Sequence, residues 1–232
     1  MPPVLLLHGL ATNAERTWRD TGWIDLVRDS GSSVIAPDLL GHGSAPQPAD
    51  PAAYDGFEQY VLDLLPDEQV DAVGFSLGAR TLLALAAAHP DRFRRLVVAG
   101  VGANLFRHDG ASESLAAALE ATEHGEASTP DHGEDPLVNR FRQMAAASGQ
   151  SVTALIALLR RPNPPVLDAD VLSAVTHPTA VVLGDRDFAG PADPLVDALT
   201  NSRFVGLRNL DHFATPKAMG FLDAGLQHLE LV

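Results

Sequence analysis

Ser76 stands between Gly74 and Gly78 in the run Val70-Asp71-Ala72-Val73-Gly74-Phe75-Ser76-Leu77-Gly78-Ala79. Apolar and β-branched residues lead into this Gly-x-Ser-x-Gly pentad, and an Ala/Leu-rich stretch follows it directly. A strand that passes at once into a helix needs a very sharp turn. Such a turn holds the central serine in a strained backbone conformation with its hydroxyl raised above the sheet. Glycines flank the serine because side chains there would collide with neighbouring backbone. The first turn of the helix beyond offers free N–H groups and the positive end of the helix dipole, suited to a developing oxyanion. The chemistry served is attack by a serine hydroxyl on a carbonyl.

A hydroxyl is a weak nucleophile until a base takes its proton. Of the nine histidines, His212 lies in Asn209-Leu210-Asp211-His212-Phe213, between the last strand-like run and the last helical one. That places it at the same sheet edge as Ser76. His8 is the next rival, but its place in His8-Gly9 suggests loop packing. An acid must then orient the imidazole and stabilise its cation. Gly184-Asp185-Arg186-Asp187 offers two candidates. Asp185 has the competing role of capping its loop and pairing with Arg186. Asp211 adjoins the base, and neighbouring residues rarely present side chains to each other. Asp38 reads as a carboxylate that ties down its own Gly-rich turn, which His42 and Ser44 share. The histidines form no tight i, i+4 pair and the cluster at His108 is weak, so no metal site is expected.

The elements that must position these groups alternate short apolar runs with Ala/Leu-rich stretches, the signature of βαβ units around a parallel sheet. Strands are expected over 4–8, 33–37, 70–75, 95–100, 179–184 and 203–207. Helices are expected over 23–30, 54–65, 77–89, 192–199 and 216–229, with 77–89 fully buried. Residues 105–177 contain no convincing strand and are too many for a simple connection. Helical patches at 112–122, 136–147 and 151–159, with a mobile-looking loop at 124–135, mark this stretch as a helical insertion over the C-terminal edge of the sheet. The whole of 1–232 reads as one domain.

With these motifs in view, the chain resembles the α/β-hydrolase fold superfamily over nearly its whole length. His8-Gly9 is similar to the family's oxyanion loop, Asp38-Leu39-Leu40-Gly41-His42-Gly43-Ser44 to its Asp-x-x-Gly-x-Gly-x-Ser turn, and the order serine, acid, histidine matches. The resemblance implies Ser76 as nucleophile, His212 as base and, from the family's Gly-x-x-Asp, Asp187 as acid. It implies backbone N–H groups of Leu77 and Leu10 as the oxyanion hole, with Ala11 a substitute if the loop is shifted. Phe75 becomes a substrate-pocket residue. In the family's strand order the last strand is three places from the elbow strand, roughly 14 Å at about 4.8 Å per strand. The His212 loop must therefore fold back over the sheet. The implied function is hydrolysis of a small or medium carboxylic ester or related acyl compound, with no cofactor.

Two departures from the family pattern stand out. The chain begins almost inside its first strand, with no N-terminal β-hairpin, which leaves about six parallel strands and an edge at 33–37. An edge is a liability unless covered, and a local loop or a second copy in a homodimer is the expected shield. Arg80 lies at i+4 from Ser76. It either pairs with a carboxylate beneath the insertion or binds a substrate carboxylate. The second option is similar to the pyruvate-eliminating enzyme of menaquinone synthesis, a carbon–carbon lyase using the same triad, and Arg140, Arg142, Arg160 and Arg161 would then be at hand. A non-enzymatic ligand-binding member of the fold is a third reading, against which an intact triad argues.

Composition narrows the field further. A formal net charge of −14 argues against a nucleic-acid partner and an anionic membrane surface. The absence of cysteine excludes thiolate chemistry. No run has the length of a membrane span or the features of a signal peptide, so a soluble cytoplasmic protein is expected.

Overall fold

The structure, a computed structural model, describes residues 1–107, 110–123 and 136–232. Strands β1 (Val4–Leu7), β2 (Val34–Ile35), β3 (Val70–Phe75), β4 (Phe93–Ala99), β5 (Thr179–Gly184) and β6 (Ser202–Leu207) form one sheet in the order β2-β1-β3-β4-β5-β6. Every pairing in it is parallel. Side chains alternate across the sheet, so Leu5 and Leu7 enter one core while Val4 and Leu6 enter the other. Both faces of β1 and β5 are covered, and these strands read as nearly unbroken apolar runs, while β6 at the sheet edge is partly exposed.

Helices α2 (Phe57–Leu62), α3 (Leu77–Ala88), α7 (Ala169–Ser173) and α8 (Asp193–Ala198) bury Phe57, Leu82, Leu172 and Leu195 on the first face. Helices α1 (Trp23–Asp29) and α9 (Met219–His228) cover the second, with Trp23 against Phe221 at 5.0 Å between ring centroids. Helices α4 (Ala111–Glu123), α5 (Pro136–Ala147) and α6 (Val152–Leu159) belong to the insertion between β4 and β5. They contribute Leu119, Val138, Phe141 and Leu155 to a separate apolar cluster that closes on Ala11, in the loop after β1. The expected loop at 124–135 and the His108 cluster lie outside the described residues.

This strand order positions the site. After β1 the chain moves outward to β2, then returns to the other side of β1 as β3. Connections leaving neighbouring strands in opposite directions open a crevice at their carboxyl ends. The loop after β1 and the turn after β3 flank that crevice.

Some elements differ from expectation. The strand expected over 33–37 shrinks to Val34–Ile35, because Pro37 has no N–H to continue the ladder. The bare edge is thereby cut to two residues. The helix expected over 54–65 begins as a 3₁₀ turn, Pro51–Tyr54, and restarts as α2 after Gly56. The helix expected over 216–229 is broken by extended backbone at Ala218, which separates a 3₁₀ turn, Thr215–Lys217, from α9. The elbow helix α3 is not fully buried: Arg80 is half-buried and Ala88 exposed. A π-helical turn at Glu15–Arg19 and helix α7 have no counterpart in the sequence reading. Among the described residues, no helix is long and apolar enough to cross a membrane.

Candidate active site

The turn from β3 into α3 holds Ser76 at φ 53° and ψ −111°, a conformation that costs energy in any residue with a side chain. A Cβ on Gly74 would stand 2.7 Å from Ala79 Cα, and one on Gly78 would stand 2.1 Å from the Leu7 carbonyl oxygen. Both contacts are with backbone, so neither position tolerates a side chain. The pentad is thus required by the close approach of β1, β3 and α3.

The loop after β6 folds back across three strands. Arg186 N–H donates to the Leu210 carbonyl at 3.1 Å, and Asp185 N–H to that of Leu207 at 2.9 Å, drawing the loop onto the end of β5. His212 arrives beside Ser76. Its Nδ1–H donates to Asp187 Oδ1 at 2.9 Å and Oδ2 at 3.0 Å. With that proton on Nδ1, Nε2 is the acceptor, and Ser76 Oγ–H donates to it at 2.9 Å. Asp187 is in turn fixed by the Ala189 N–H, at 2.9 Å from Oδ1. Asp185 is exposed, and Arg186 donates to Asn209 Oδ1 at 2.8 Å, so the expected Asp185–Arg186 pairing does not form. Asp211 turns away to accept the Ala214 N–H at 2.8 Å.

Leu77 opens α3, and among the described residues its N–H has no acceptor; the same holds for Leu10 N–H. The Ala11 N–H is already taken, by His42 Nε2 at 3.2 Å. Of the two candidates in that loop, Leu10 is therefore the free donor. Two buried histidines fix this loop. His8 donates from Nδ1 to the Gly9 carbonyl at 2.8 Å and accepts the Leu39 N–H on Nε2 at 3.0 Å. His42 lies edge-on to it, with 5.0 Å between ring centroids. Burial is the largest influence on each, and it pushes His8 down to about 4 and His42 down to about 3, so both are neutral acceptors. Asp38 accepts from Ser44 N–H and Oγ–H and from Ala14 N–H. Burial acts to raise its carboxyl, but those bonds outweigh it and hold it below the ordinary range. Asp38 thus ties its own turn, as expected, and also the start of the π-helical turn.

Sequence reasoning missed the aromatic surround. The His212 ring lies between Phe188, at 4.3 Å between centroids, and Phe75, at 4.9 Å. Gly100, at the end of β4, makes room: a Cβ there would stand 2.7 Å from Phe75 Cε2 and 3.0 Å from His212 Cε1. The one local signal was the adjacency of Phe188 to Asp187.

Ser76, His212 and Leu10 open into a cavity of ≈ 130 Å³, lined on its apolar side by Phe75, Phe141, Met144 and Phe213. Arg80 does not line it. Its guanidinium donates to the Pro165 carbonyl at 3.0 Å, fastening α3 to the segment after α6. The substrate-carboxylate role considered for Arg80 is thereby corrected, as is the carboxylate partner expected for it. Arg160 is held by Glu113 and Glu120, Arg161 by Glu58, and Arg142 donates to Asn139. Of the four insertion arginines, Arg140 alone reaches the cavity.

The arrangement has relatives. The sequence model of the alpha/beta hydrolase fold matches residues 2–131. The chain is 40% identical over 103 residues to 2-hydroxymuconate semialdehyde hydrolase of Pseudomonas sp. (strain CF600), covering 42% of this chain and 36% of that protein. It is 32% identical over 136 residues to esterase YbfF of Escherichia coli (strain K12), covering 55% and 49%. The matches thus span between about a third and a half of the length of these curated relatives. The enol-lactonase of Burkholderia xenovorans LB400 superimposes with a TM-score of 0.70 at 21% identity, over 99% of this chain and 91% of that one. At that identity the likeness is one of fold.

Proposed function

The chain belongs to the alpha/beta hydrolase fold family, and from that membership we propose that it is a serine hydrolase of small carboxylic esters or related acyl compounds. The observation that carries the reading is one unbroken relay, Asp187 to His212 to Ser76, with each bond near 2.9 Å. In it Ser76 Oγ attacks the carbonyl carbon while its proton passes to His212 Nε2. The tetrahedral oxyanion is held by Leu10 and Leu77 N–H. Asp187 orients the ring and offsets the charge of the imidazolium. As the intermediate collapses, the carbon–oxygen bond to the alcohol breaks and His212 returns the proton to it. Water, activated by the same histidine, then releases the acid from Ser76.

The cavity volume of ≈ 130 Å³ favours a short acyl chain, since pockets for drug-sized ligands run from about 300 Å³ upward. In this reading residues 105–177 act as a lid within a single catalytic unit, and Phe75 and Phe141 form its apolar wall. The test is turnover of p-nitrophenyl acetate by the parent chain and by Ser76→Ala. Loss of rate by about 10⁴-fold or more in the variant is expected; equal rates would overturn the assignment.

A further inference from the structure

We propose that the mouth of the Ser76 cavity is an anion subsite, so that the acyl compound taken by this chain carries a negative charge, most simply a carboxylate, remote from its scissile carbonyl. This rests on the hydrolase reading above and names its substrate class. Among the described residues three cations line the cavity, each from a different element: Arg16 on the π-helical turn, Arg140 on α5 and Lys217 on the turn that follows His212. Among the described residues no Asp or Glu lines it. The chain has 30 acidic residues against 16 Lys and Arg, so a charged lining drawn without selection would be mostly acidic. Lys217 is moreover the only lysine in the whole sequence.

Elsewhere on the described surface, several arginines are paired with carboxylates, while others, such as Arg80 and Arg186, bond to neutral acceptors. Arg19 pairs with Glu15, Arg95 with Glu230, Arg160 with Glu113 and Arg161 with Glu58. Among the described residues neither Arg140 nor Lys217 has a carboxylate within ion-pair distance, and Arg16 donates to the Ala147 carbonyl, which leaves its charge uncompensated. Arg140 is steadied instead by the Phe213 ring, with its guanidinium carbon 5.3 Å from the ring centroid. A local positive field in a strongly negative molecule has no structural pairing to serve here. It would draw in an anion and hold its far end, with Arg140 supplying a planar donor fork and Lys217 a mobile point charge.

The test compares two p-nitrophenyl alkylphosphonate diesters of equal chain length, one ending in a methyl group and one in a carboxylate. Ser76 Oγ attacks phosphorus, p-nitrophenolate leaves and is counted, and the serine proton passes to His212. At low ionic strength the anionic probe should react faster by roughly tenfold or more. The advantage should shrink as salt is added and narrow in an Arg140→Gln/Lys217→Gln double variant, whose exposed positions do not threaten the fold. Equal or slower reaction of the anionic probe, or an advantage that survives the double variant, overturns the subsite while Ser76 labelling leaves the hydrolase reading standing. Failure of both probes to label Ser76 overturns the hydrolase reading, and the subsite with it.

Discussion

His42 Nε2 accepts the N–H of Ala11 at 3.2 Å across 31 residues of chain, and in the proposed mechanism this bond leaves Leu10 N–H for the oxyanion. Ala11 sits at φ 61°, in the left-handed region. Its carbonyl oxygen lies 3.1 Å from Oγ of Ser148, just beyond α5 in the insertion, whose single hydrogen is shared with the Met144 carbonyl at 2.7 Å. One residue thus meets both the core turn and the insertion. Leu10, the residue before it, lines the cavity with Ser76.

If His42 works through that bond, an acceptor at position 42 matters more than an imidazole. His42→Phe fills the space but orphans a buried amide, at a cost of about 1–3 kcal/mol. Turnover should fall by roughly 10–100-fold in kcat with little change in KM, since the lost alignment acts on the oxyanion. His42→Gln, which can still accept the Ala11 N–H, should restore most of the rate. Steady-state kinetics on a short ester separates the outcomes. Equal loss in both variants, or a loss confined to KM, would contradict the role.

Acid should destabilise the fold earlier than its carboxylates alone would require. Burial holds His8 at about 4 and His42 at about 3 in the folded chain, against about 6.5 when unfolded. Below about 6.5 the unfolded state gains two protons that the folded state refuses. The contribution is therefore complete above about 6.5 and lost progressively as pH falls toward 4. Unfolding free energies from urea titrations between neutral pH and about 5 should decline with a slope approaching two protons, and His42→Gln should bring it toward one. A flat profile would contradict the buried neutral assignment.

Gly100 gives a sharper test of the His212 setting. At φ 68°, with Phe75 and His212 within about 3 Å of any added Cβ, Gly100→Ala must displace one ring or the other. Activity should drop by tenfold or more, while the unfolding free energy falls by only about 1–3 kcal/mol. Kinetics alongside denaturant titration reads both. An active, unstrained Gly100→Ala would show that the packing around His212 is loose.

The legible part of the site was the part that chain continuity controls. Gly74, Ser76 and Gly78 form one local turn, and the strand before and helix after declare it. Asp187 and His212 each follow a strand end, so the parallel sheet alone brings them to one edge. The illegible part depends on contacts between distant segments. Nothing local to Gly100 announces that it faces His212, and nothing in the Gly-rich turn shows His42 reaching back to Ala11. Arg80 was left between two readings for the same reason: its spacing from Ser76 could not show that the Pro165 carbonyl, 85 residues on, takes its guanidinium. In the fold, Pro37 was available as the reason for the two-residue edge strand. The break at Ala218 had no comparable signal.

The central claim is that Ser76 is activated through His212 by Asp187. Its most direct measurement is peptide mapping after reaction with a fluorophosphonate, on the parent chain and on Asp187→Ala. A single phosphonyl adduct is expected, on Ser76, forming on the order of 10²–10³-fold more slowly in the variant. An adduct on another residue, no adduct in a folded protein, or equal rates in the two chains would contradict it.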